Sequence, residues 1–245
     1  AARYGDWMER MLYNGIGAAP VPRGRGEAFY YADYRVAGGI KTPYWEAFPC
    51  CSGTYIQDVA DYHNIIYYKD AHGLYVNMYM PSEVLWSGPA GNVRVVQDTS
   101  YPEDSTSTLT LSMDQPSRFT LSFRVPEWSR GVTASVNGTR LNASFTPGSW
   151  GQITREWRTG DRVVIDIPLR MRLEPVDRWH PNRVAALRGP VVLVLAGDYQ
   201  DPAFNLPMDN DALDRWLVPD KRKAGTFRVQ PPGGARVAPT FQPFY

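Results

Sequence analysis

The only two cysteines in this chain of 245 residues are neighbours, Cys50 and Cys51, in the stretch FPCCSGTY. A cysteine thiolate is a nucleophile and also a good ligand for Zn²⁺. The pair could therefore supply two ligands to one metal ion, or one thiolate could attack a substrate. Two other interpretations stay open. Both side chains could be small buried hydrophobic groups, which is how free cysteines usually behave, or they could form a strained vicinal disulfide.

A complete zinc site needs about four ligands, so the cysteines would need partners. The other candidate ligands are His63, His72, His180, Glu46 and Asp58. No C-x-x-C or H-x-x-x-H spacing connects them. His63 falls on the apolar face of a predicted helix, so we expect it to pack in the core rather than bind metal. The spacing of residues alone therefore indicates half of a metal site.

A helix and a strand precede the cysteines in the predicted structure. Residues 5–18 have the period of an amphipathic helix, with apolar side chains at every fourth position, Met8, Leu12 and Ile16. Residues 27–36 are compatible with a strand.

A second helix is predicted directly after the cysteines. Thr54 and Gln57 have the spacing of a capping box, which predicts that the helix begins at Thr54. Cys50 and Cys51 would then lie just before its amino terminus, where the helix dipole favours a thiolate. One face of this helix is predicted to be apolar, and it consists of Ile56, Val59, Ala60, His63 and Ile66.

From about residue 73 onward, apolar and polar residues alternate with the period of two that is typical of strands. One such set of apolar positions is Phe119, Leu121, Phe123 and Val125. A longer set, predicted to point in one direction, is Val163, Ile165, Ile167, Leu169, Met171 and Leu173. Asn137 and Gly138 predict a hairpin turn. The pattern indicates a mainly β fold, an antiparallel β-sandwich.

The last part of the chain gives a mixed signal. Residues 191–198, VVLVLAGD, read as a strand that is more fully buried than the others. From Asp201 onward the sequence is rich in Pro, Gly and charge, which predicts irregular structure with one short helix near DNDALDRWL.

Composition argues against two classes of partner. The chain has 26 basic and 25 acidic residues and a net charge of +1, which predicts no electrostatic attraction to nucleic acid. No apolar run approaches the roughly 20 residues needed to span a bilayer, so we predict no membrane partner. Eight Trp, 15 Tyr and nine Phe would suit carbohydrate binding or the packing of strands. The composition leaves the compartment open.

The order of several segments resembles the bacterial β-L-arabinofuranosidases of glycoside hydrolase family 127 (GH127). The segments are WMERMLYNGI, WEAFPCCSGTY, GLYVNMYMPSEVLW, FTLSFRVPEW, VTASVNG, WRTGDRVVIDIPLRMRLEPV and RVAALRGPVVLVLAGD. The resemblance extends over most of residues 4–200. It implies the last helices of an (α/α)6 barrel over residues 1–70, together with the Cys-Cys site. It implies one or more β-sandwich domains over residues 71–245, and so a carboxy-terminal part of such an enzyme.

The resemblance also implies a chemistry. The chain would contribute to a retaining glycoside hydrolase of the β-L-arabinofuranosidase type, with Cys50 as nucleophile and zinc ligand and Cys51 as a second zinc ligand. The family's Glu-x-Cys motif, with further ligands, and its acid/base Glu would lie upstream, because no Glu-x-Cys occurs in this chain. Ser52-Gly53-Thr54 stands where the best-known members have Pro-Pro-Asn, which leaves the sugar specificity open.

The partners implied by the resemblance are an arabinose-containing glycan and the missing amino-terminal part of the barrel. Tyr30, Tyr31 and Trp45 are the predicted substrate-binding residues, because they lie near the cysteines in sequence and aromatic rings stack on sugars. The alternative is a non-catalytic carbohydrate-binding or structural β-sandwich module. The cysteine pair favours the enzyme, since a binding module has no use for it.

Overall fold

The computed structural model describes residues 2–18, 29–32, 41–43, 50–196, 207, 209–223, 225–230 and 240–244. Strands dominate the described part, and nearly all of them pair antiparallel. The predicted mainly β fold with an antiparallel sandwich is confirmed. The assignment of residues 1–70 to the end of an (α/α)6 barrel stays a prediction.

Three α-helices are described. They are α1 Arg3–Met11, α2 Cys50–Asp61 and α3 Asn210–Trp216. A π-helical turn, Leu12–Ile16, continues α1, so the first predicted helix is confirmed. A 3₁₀ turn, Tyr62–Ile65, follows α2. Between the first two helices, β1 Phe29–Ala32 pairs antiparallel with β2 Lys41–Pro43, which confirms the first predicted strand in its central part.

The start of α2 differs from the prediction. The helix begins at Cys50, four residues before Thr54, so the cysteines belong to its first turn rather than to the loop before it. A capping box requires its first residue to lie outside the helix, and Thr54 lies inside. Pro49 was the stronger signal in the sequence, because proline is common at helix starts and cannot continue a helix towards its amino terminus.

Ten strands form a sandwich of two sheets. They are β3 Tyr67–Lys69, β4 Gly73–Val76, β5 Ser82–Gly88, β6 Gly91–Thr99, β7 Thr106–Met113, β8 Ser117–Val125, β9 Thr133–Val136, β10 Thr139–Arg140, β11 Ser149–Trp157 and β12 Arg162–Asp166. One sheet has the order β10-β9-β12-β7-β6-β5 and the other has the order β11-β8-β4-β3. The pair β4–β8 is parallel. It brings the strand that follows the helices beside a strand from much later in the chain.

The alternating side chains of these strands form one core between the two sheets. Phe119, Leu121, Phe123 and Val125 of β8 are all buried, as the period of two predicts. The indole of Trp157 is fully buried and donates a hydrogen bond to the carbonyl oxygen of Phe119 at 3.1 Å. The hairpin turn is also confirmed. Its residues, Asn137 and Gly138, have φ of 51° and 81°, the left-handed values that this turn requires.

The last six strands form a third sheet. They are β13 Met171–Pro175, β14 Val184–Arg188, β15 Val191–Ala196, β16 Leu217–Pro219, β17 Phe227–Val229 and β18 Thr240–Pro243. Their order is β13-β14-β15-β18-β17-β16. Helix α3 packs on this sheet through the fully buried Leu213 and helps to form a second core. The short helix near DNDALDRWL is confirmed, whereas the prediction of otherwise irregular structure after Asp201 is wrong for β16, β17 and β18.

Two further expectations about strands are corrected. The apolar run from Val163 to Leu173 does not point in one direction, because β12 ends at Asp166 and β13, beginning at Met171, belongs to the third sheet. Pro168 lies in this break, and proline cannot donate a hydrogen bond to a sheet. Strand β15 is not fully buried, since Leu195 is 39% exposed and the burial alternates along the strand.

We predict that Gly5→Ala lowers the free energy of unfolding. A Cβ atom at this position of α1 would clash with the side chains of Asn77 and Arg124, both of them buried. Overpacking costs about 1–3 kcal/mol, which exceeds the roughly 1 kcal/mol that alanine gains over glycine in a helix. Urea unfolding checks this.

Gly15→Ala is the matched control for this substitution. A Cβ atom at position 15 would meet only the methyl group of Met11, at 4.0 Å. The control should be neutral or stabilising. If Gly5→Ala proved equally harmless, the close packing of α1 on the sandwich would be refuted.

Candidate active site and the anchoring of its helices

Cys50 and Cys51 are the first two residues of helix α2. The first turn of any helix has backbone N–H groups without intrahelical acceptors, and it carries the positive end of the helix dipole. A thiolate is stabilised in this position. The described residues include the backbone of both cysteines, whereas their side chains lie outside the description. The metal and nucleophile roles of the pair therefore stay predictions.

The other end of the α2 segment is fixed to the sandwich through Asn77, which is 1% exposed. Its side-chain amide donates a hydrogen bond to the carbonyl oxygen of Ile65 at 2.8 Å. Its backbone N–H donates to the carbonyl oxygen of Ile66, also at 2.8 Å, and the N–H of Met78 donates to the same oxygen at 3.2 Å. These bonds hold the carboxyl end of the segment against the chain that leaves β4.

Helix α1 is held by Arg124 of β8, whose side chain is fully buried. The guanidinium forms an ion pair with Asp6 and a second one with Glu9, at 2.6 Å from its Oε1. The Nε–H of Arg124 donates to the carbonyl oxygen of Asn77 at 2.7 Å. One side chain therefore connects α1 to the same residue that holds the end of the α2 segment.

Aromatic residues complete the hydrogen bonds of this buried cluster. The hydroxyl of Tyr101 donates to Glu9 Oε1 at 2.9 Å, and the indole N–H of Trp128 donates to Glu9 Oε2 at 3.4 Å. The hydroxyl of Tyr79 donates to the carbonyl oxygen of Arg124, whose guanidinium lies 5.8 Å from the Tyr79 ring centroid. Buried charges are tolerated only when they are paired and hydrogen-bonded in this way.

The cluster controls the ionisation of its members. Burial alone would lower the pKa of Arg124, but the carboxylate of Glu9 and the neighbouring acidic groups hold that pKa above its ordinary value. Burial raises the pKa of Asp6 although Arg124 acts in the opposite direction. Burial, with the charge of Glu9, raises the pKa of Tyr101 well above its ordinary value. Arg124 is therefore a permanent cation, and Tyr101 a permanent hydrogen-bond donor, at neutral pH.

The predicted substrate-binding residues are only partly covered by the structure. Tyr30 and Tyr31 belong to β1, which contacts α2, so the strand that carries them lies beside the helix that carries the cysteines. Their side chains lie outside the described residues, as does the whole of Trp45. Their role in binding substrate stays a prediction.

The predicted apolar face of α2 is exposed in this chain. Ile56 is 68% exposed and Val59 is 42% exposed, and of the predicted face only Ile66 is buried. The expectation that His63 packs in the core is wrong. Its ring is exposed, and Nδ1 lies 2.8 Å from the carbonyl oxygen of Ala60, one helical turn earlier. Amphipathic spacing identified the face, but it could not show whether this chain covers it.

The described residues do not complete a zinc site. Within the part of the chain that the structure describes, no three His, Cys, Asp or Glu residues are close enough to share a metal ion. Adjacent thiolates are suitable zinc donors, but any further ligands must come from elsewhere.

Sequence reasoning missed the role of Arg124. The period of two in β8 places it opposite Phe123 and Val125, on the outer face of the sheet, where an arginine usually meets water. In the structure α1 covers that face. A signal was available, because Asp6 and Glu9 are three residues apart and therefore adjacent on one side of α1. The sequence could not indicate which cation they meet.

The comparison with known protein families concerns the sandwich. Residues 73–169 match the family model "Beta-L-arabinofuranosidase, GH127 middle domain". The resemblance noted in the sequence is confirmed, and the matched range contains β4 to β12. Among curated protein sequences, none matches the chain at a significant level.

Solved structures of similar fold include GH127 enzymes. A GH127 β-L-arabinofuranosidase from Geobacillus stearothermophilus is 27% identical, with a TM-score of 0.68 over 78% of this chain and 32% of its own. A second GH127 β-arabinofuranosidase is 24% identical, with a TM-score of 0.65 over 78% of this chain and 33% of its own. A glycoside hydrolase that is 20% identical has a TM-score of 0.77 over 99% of this chain and 46% of its own. The last two similarities concern the fold alone.

The chain spans between 32% and 46% of the length of these solved structures. Among its described helices, none is both long and apolar enough to cross a membrane.

We predict that Arg124→Met destabilises the protein by about 3–5 kcal/mol, because it leaves the carboxylates of Asp6 and Glu9 without their cation. Urea unfolding measures the loss. Arg94→Met is the control, since its ion pair with Glu83 is about half exposed on both sides, and the free energy of unfolding should hardly change. Adding Asp6→Asn and Glu9→Gln to Arg124→Met should recover part of the stability. No recovery would show that charge is not the reason for the loss.

We predict that the protein loses stability as the pH rises above about 10, the ordinary pKa of tyrosine. Because the pKa of Tyr101 is raised in the folded state, its contribution is fully present below the unfolded pKa. It is lost as the pH rises towards the folded pKa, since the unfolded state then releases its proton first. Unfolding free energies measured across this range should fall less steeply for Tyr101→Phe. Identical slopes would contradict the burial of this hydroxyl against Glu9.

Proposed function

We propose that this chain is the carboxy-terminal part of a retaining glycoside hydrolase of the β-L-arabinofuranosidase type, with Cys50 as its nucleophile. The observation that carries the proposal is the position of the cysteines. They open helix α2, directly upstream of a middle domain of the GH127 type. A pure binding module would have no use for two adjacent thiols at a helix amino terminus.

The proposed reaction has two displacements. The Cys50 thiolate attacks the anomeric carbon, a carbon–sulfur bond forms, and the glycosidic carbon–oxygen bond breaks. The departing oxygen takes a proton from an acid/base group outside this chain. Water, deprotonated by the same group, then attacks the anomeric carbon and releases the thiolate. Two inversions return the sugar to its original configuration.

A zinc ion belongs to the proposal through the resemblance to GH127. Cys50 and Cys51 would hold it, and the remaining ligands would lie outside this chain. When bound, zinc would keep the coordinating thiols deprotonated at neutral pH. The contribution of this chain's own backbone is the amino terminus of α2, whose dipole acts on the thiolates in the same direction.

The proposed substrate is an arabinose-containing glycan. Tyr30, Tyr31 and Trp45 are proposed to line its site, and the contact between β1 and α2 supports this for the two tyrosines. The rest of the substrate site would come from other parts of the enzyme.

We further propose that residues 1–70 form the end of an (α/α)6 barrel and residues 71–245 its β-sandwich domains. The open apolar faces of the two helices support this division. Trp7 and Met11 of α1 are 77% and 62% exposed, and Ile56 of α2 is 68% exposed. The missing amino-terminal part of the barrel is the partner that would cover them.

The test measures zinc content and thiol alkylation for this chain and for a longer protein that includes the upstream barrel. We expect one zinc per longer protein, turnover of an aryl β-L-arabinofuranoside, and little or no turnover by the shorter chain. Cys50→Ser should abolish turnover, and Cys51→Ser should lower zinc content. Ser52→Ala, in the same helical turn, is the control and should keep both properties.

Two outcomes would contradict the proposal. A longer protein without metal and with unreactive thiols would leave the alternative, a non-catalytic carbohydrate-binding or structural module. Full turnover by Cys50→Ser would exclude Cys50 as the nucleophile.

A further inference from the structure

The cysteine-bearing segment, which consists of α2 and the 3₁₀ turn Tyr62–Ile65, ends against the sandwich. The last carbonyl groups of any helix have no donor within the helix. Here Asn77 supplies two donors, its side-chain amide to Ile65 and its backbone N–H to Ile66, both at 2.8 Å. Asn77 therefore caps the end of the segment from outside, from its position directly after β4.

The side chain of Asn77 is held in one place, because it is 1% exposed and has neighbours from other elements. Gly5 of α1 packs so closely that a Cβ atom at that glycine would clash with Oδ1 of Asn77. The Nε–H of Arg124 in β8 donates to the backbone carbonyl oxygen of Asn77 at 2.7 Å. Helix α1, strand β8 and the end of the cysteine-bearing segment therefore meet at this one buried residue.

The cysteines lie at the far end of the segment from Asn77. With a rise of about 1.5 Å per residue in α2 and about 2.0 Å in the 3₁₀ turn, the segment is roughly 26 Å long. A tilt of about 2° at Ile65 would therefore move the first turn by about 1 Å. A misplacement of about 1 Å can lower the rate of a reaction between positioned groups by about 100-fold. The length of the segment thus amplifies a small change at Asn77.

The side of the segment is less constrained than its end. Ile56 and Val59 of α2 are 68% and 42% exposed, so within this chain their face does not oppose a tilt. The partner proposed to cover that face would act on the side of the helix. Asn77 acts on its end and fixes the point from which the segment extends. Side support can place the first turn reproducibly only if this point is fixed.

We propose that Asn77 is a positioning residue for Cys50, which sets the placement of the first turn of α2 through the hydrogen bond of its amide to Ile65. Asn77 itself touches neither the substrate nor the metal. The effect of this placement on turnover rests on the proposed function, whereas the placement itself does not.

The experiment introduces Asn77→Ala into the longer protein that includes the upstream barrel. This variant keeps the backbone N–H bond to Ile66 and removes the amide that holds Ile65. We expect kcat to fall by about tenfold or more and KM to change by less than about threefold, because the residues proposed to bind the sugar lie outside the segment. In a crystal structure superposed on β4 to β8, the first turn of α2 should move by about 1 Å.

Leu109→Ala is the matched control. Leu109 is fully buried in the core between the two sheets, and its truncation should be at least as destabilising as Asn77→Ala. It leaves the hydrogen bonds of Asn77 intact, so kcat and the position of the first turn should not change. A second variant, Asn77→Ser, decides the result if Asn77→Ala does not fold. Its hydroxyl keeps a polar group at the site but is too short to replace the amide at Ile65.

The outcomes separate this inference from the proposed function. A displaced first turn and a lower kcat in the Asn77 variants, with both unchanged in Leu109→Ala, support the inference. An unmoved first turn, or equal losses of kcat in Asn77→Ala and Leu109→Ala, would overturn it. Full turnover by Cys50→Ser would contradict the proposed function instead, and the position of the first turn would still decide whether Asn77 places it.

Discussion

Arg124 lies where water does not reach it, and the two carboxylates of α1 make that position tolerable. An unpaired guanidinium in the interior would be very costly, and so would Asp6 and Glu9 without a cation. Arg124 and the two carboxylates therefore require each other. Separating α1 from the sandwich would leave an unpaired cation on the sandwich and two unpaired anions on the helix. Hydrophobic contact alone would allow α1 to slide or rotate. Directed ion pairs and the Nε–H bond to Asn77 fix its orientation.

The two ends of α2 are supported very differently. Its carboxyl end is tied to the sandwich through Asn77, whereas its first turn, with the cysteines, lies a full helix length away, roughly 18 Å for twelve residues. Helix α2 also contacts β1 and the π-helical turn that follows α1. The open face at Ile56 and Val59 leaves the exact placement of the first turn to whatever packs there. The sandwich thus sets where α2 ends, and the partner proposed to cover the open face would set where the thiols point.

Elements whose signals are local could be predicted from the sequence. The period of two identified β8 and its buried side chains, and Asn137-Gly138 identified a hairpin, because each depends on neighbours in the chain. Predictions failed where a distant element decided the result. Arg124 is buried on the outer face of β8 because α1 covers that face. The apolar run from Val163 to Leu173 is interrupted at Pro168 because its two halves belong to two different cores. The proposed Cys50 site could be predicted only through a resemblance of segment order, because the spacing of residues alone indicated half of a metal site.

The bond between Arg124 and Glu9 joins residues 115 positions apart. The same strand, β8, also pairs in parallel with β4, where Gly73 lies opposite Thr120. During synthesis, helix α1 therefore emerges long before β8, the strand that holds it. Its apolar face stays uncovered until about half of this chain has been made. A product truncated before β8 would lack Arg124, so Asp6 and Glu9 of α1 would have no cation to pair with. The ion pairs that hold α1 are therefore completed near the middle of this chain, whereas the hydrogen bonds of Asn14 with Pro190 and Val192 follow only with β15.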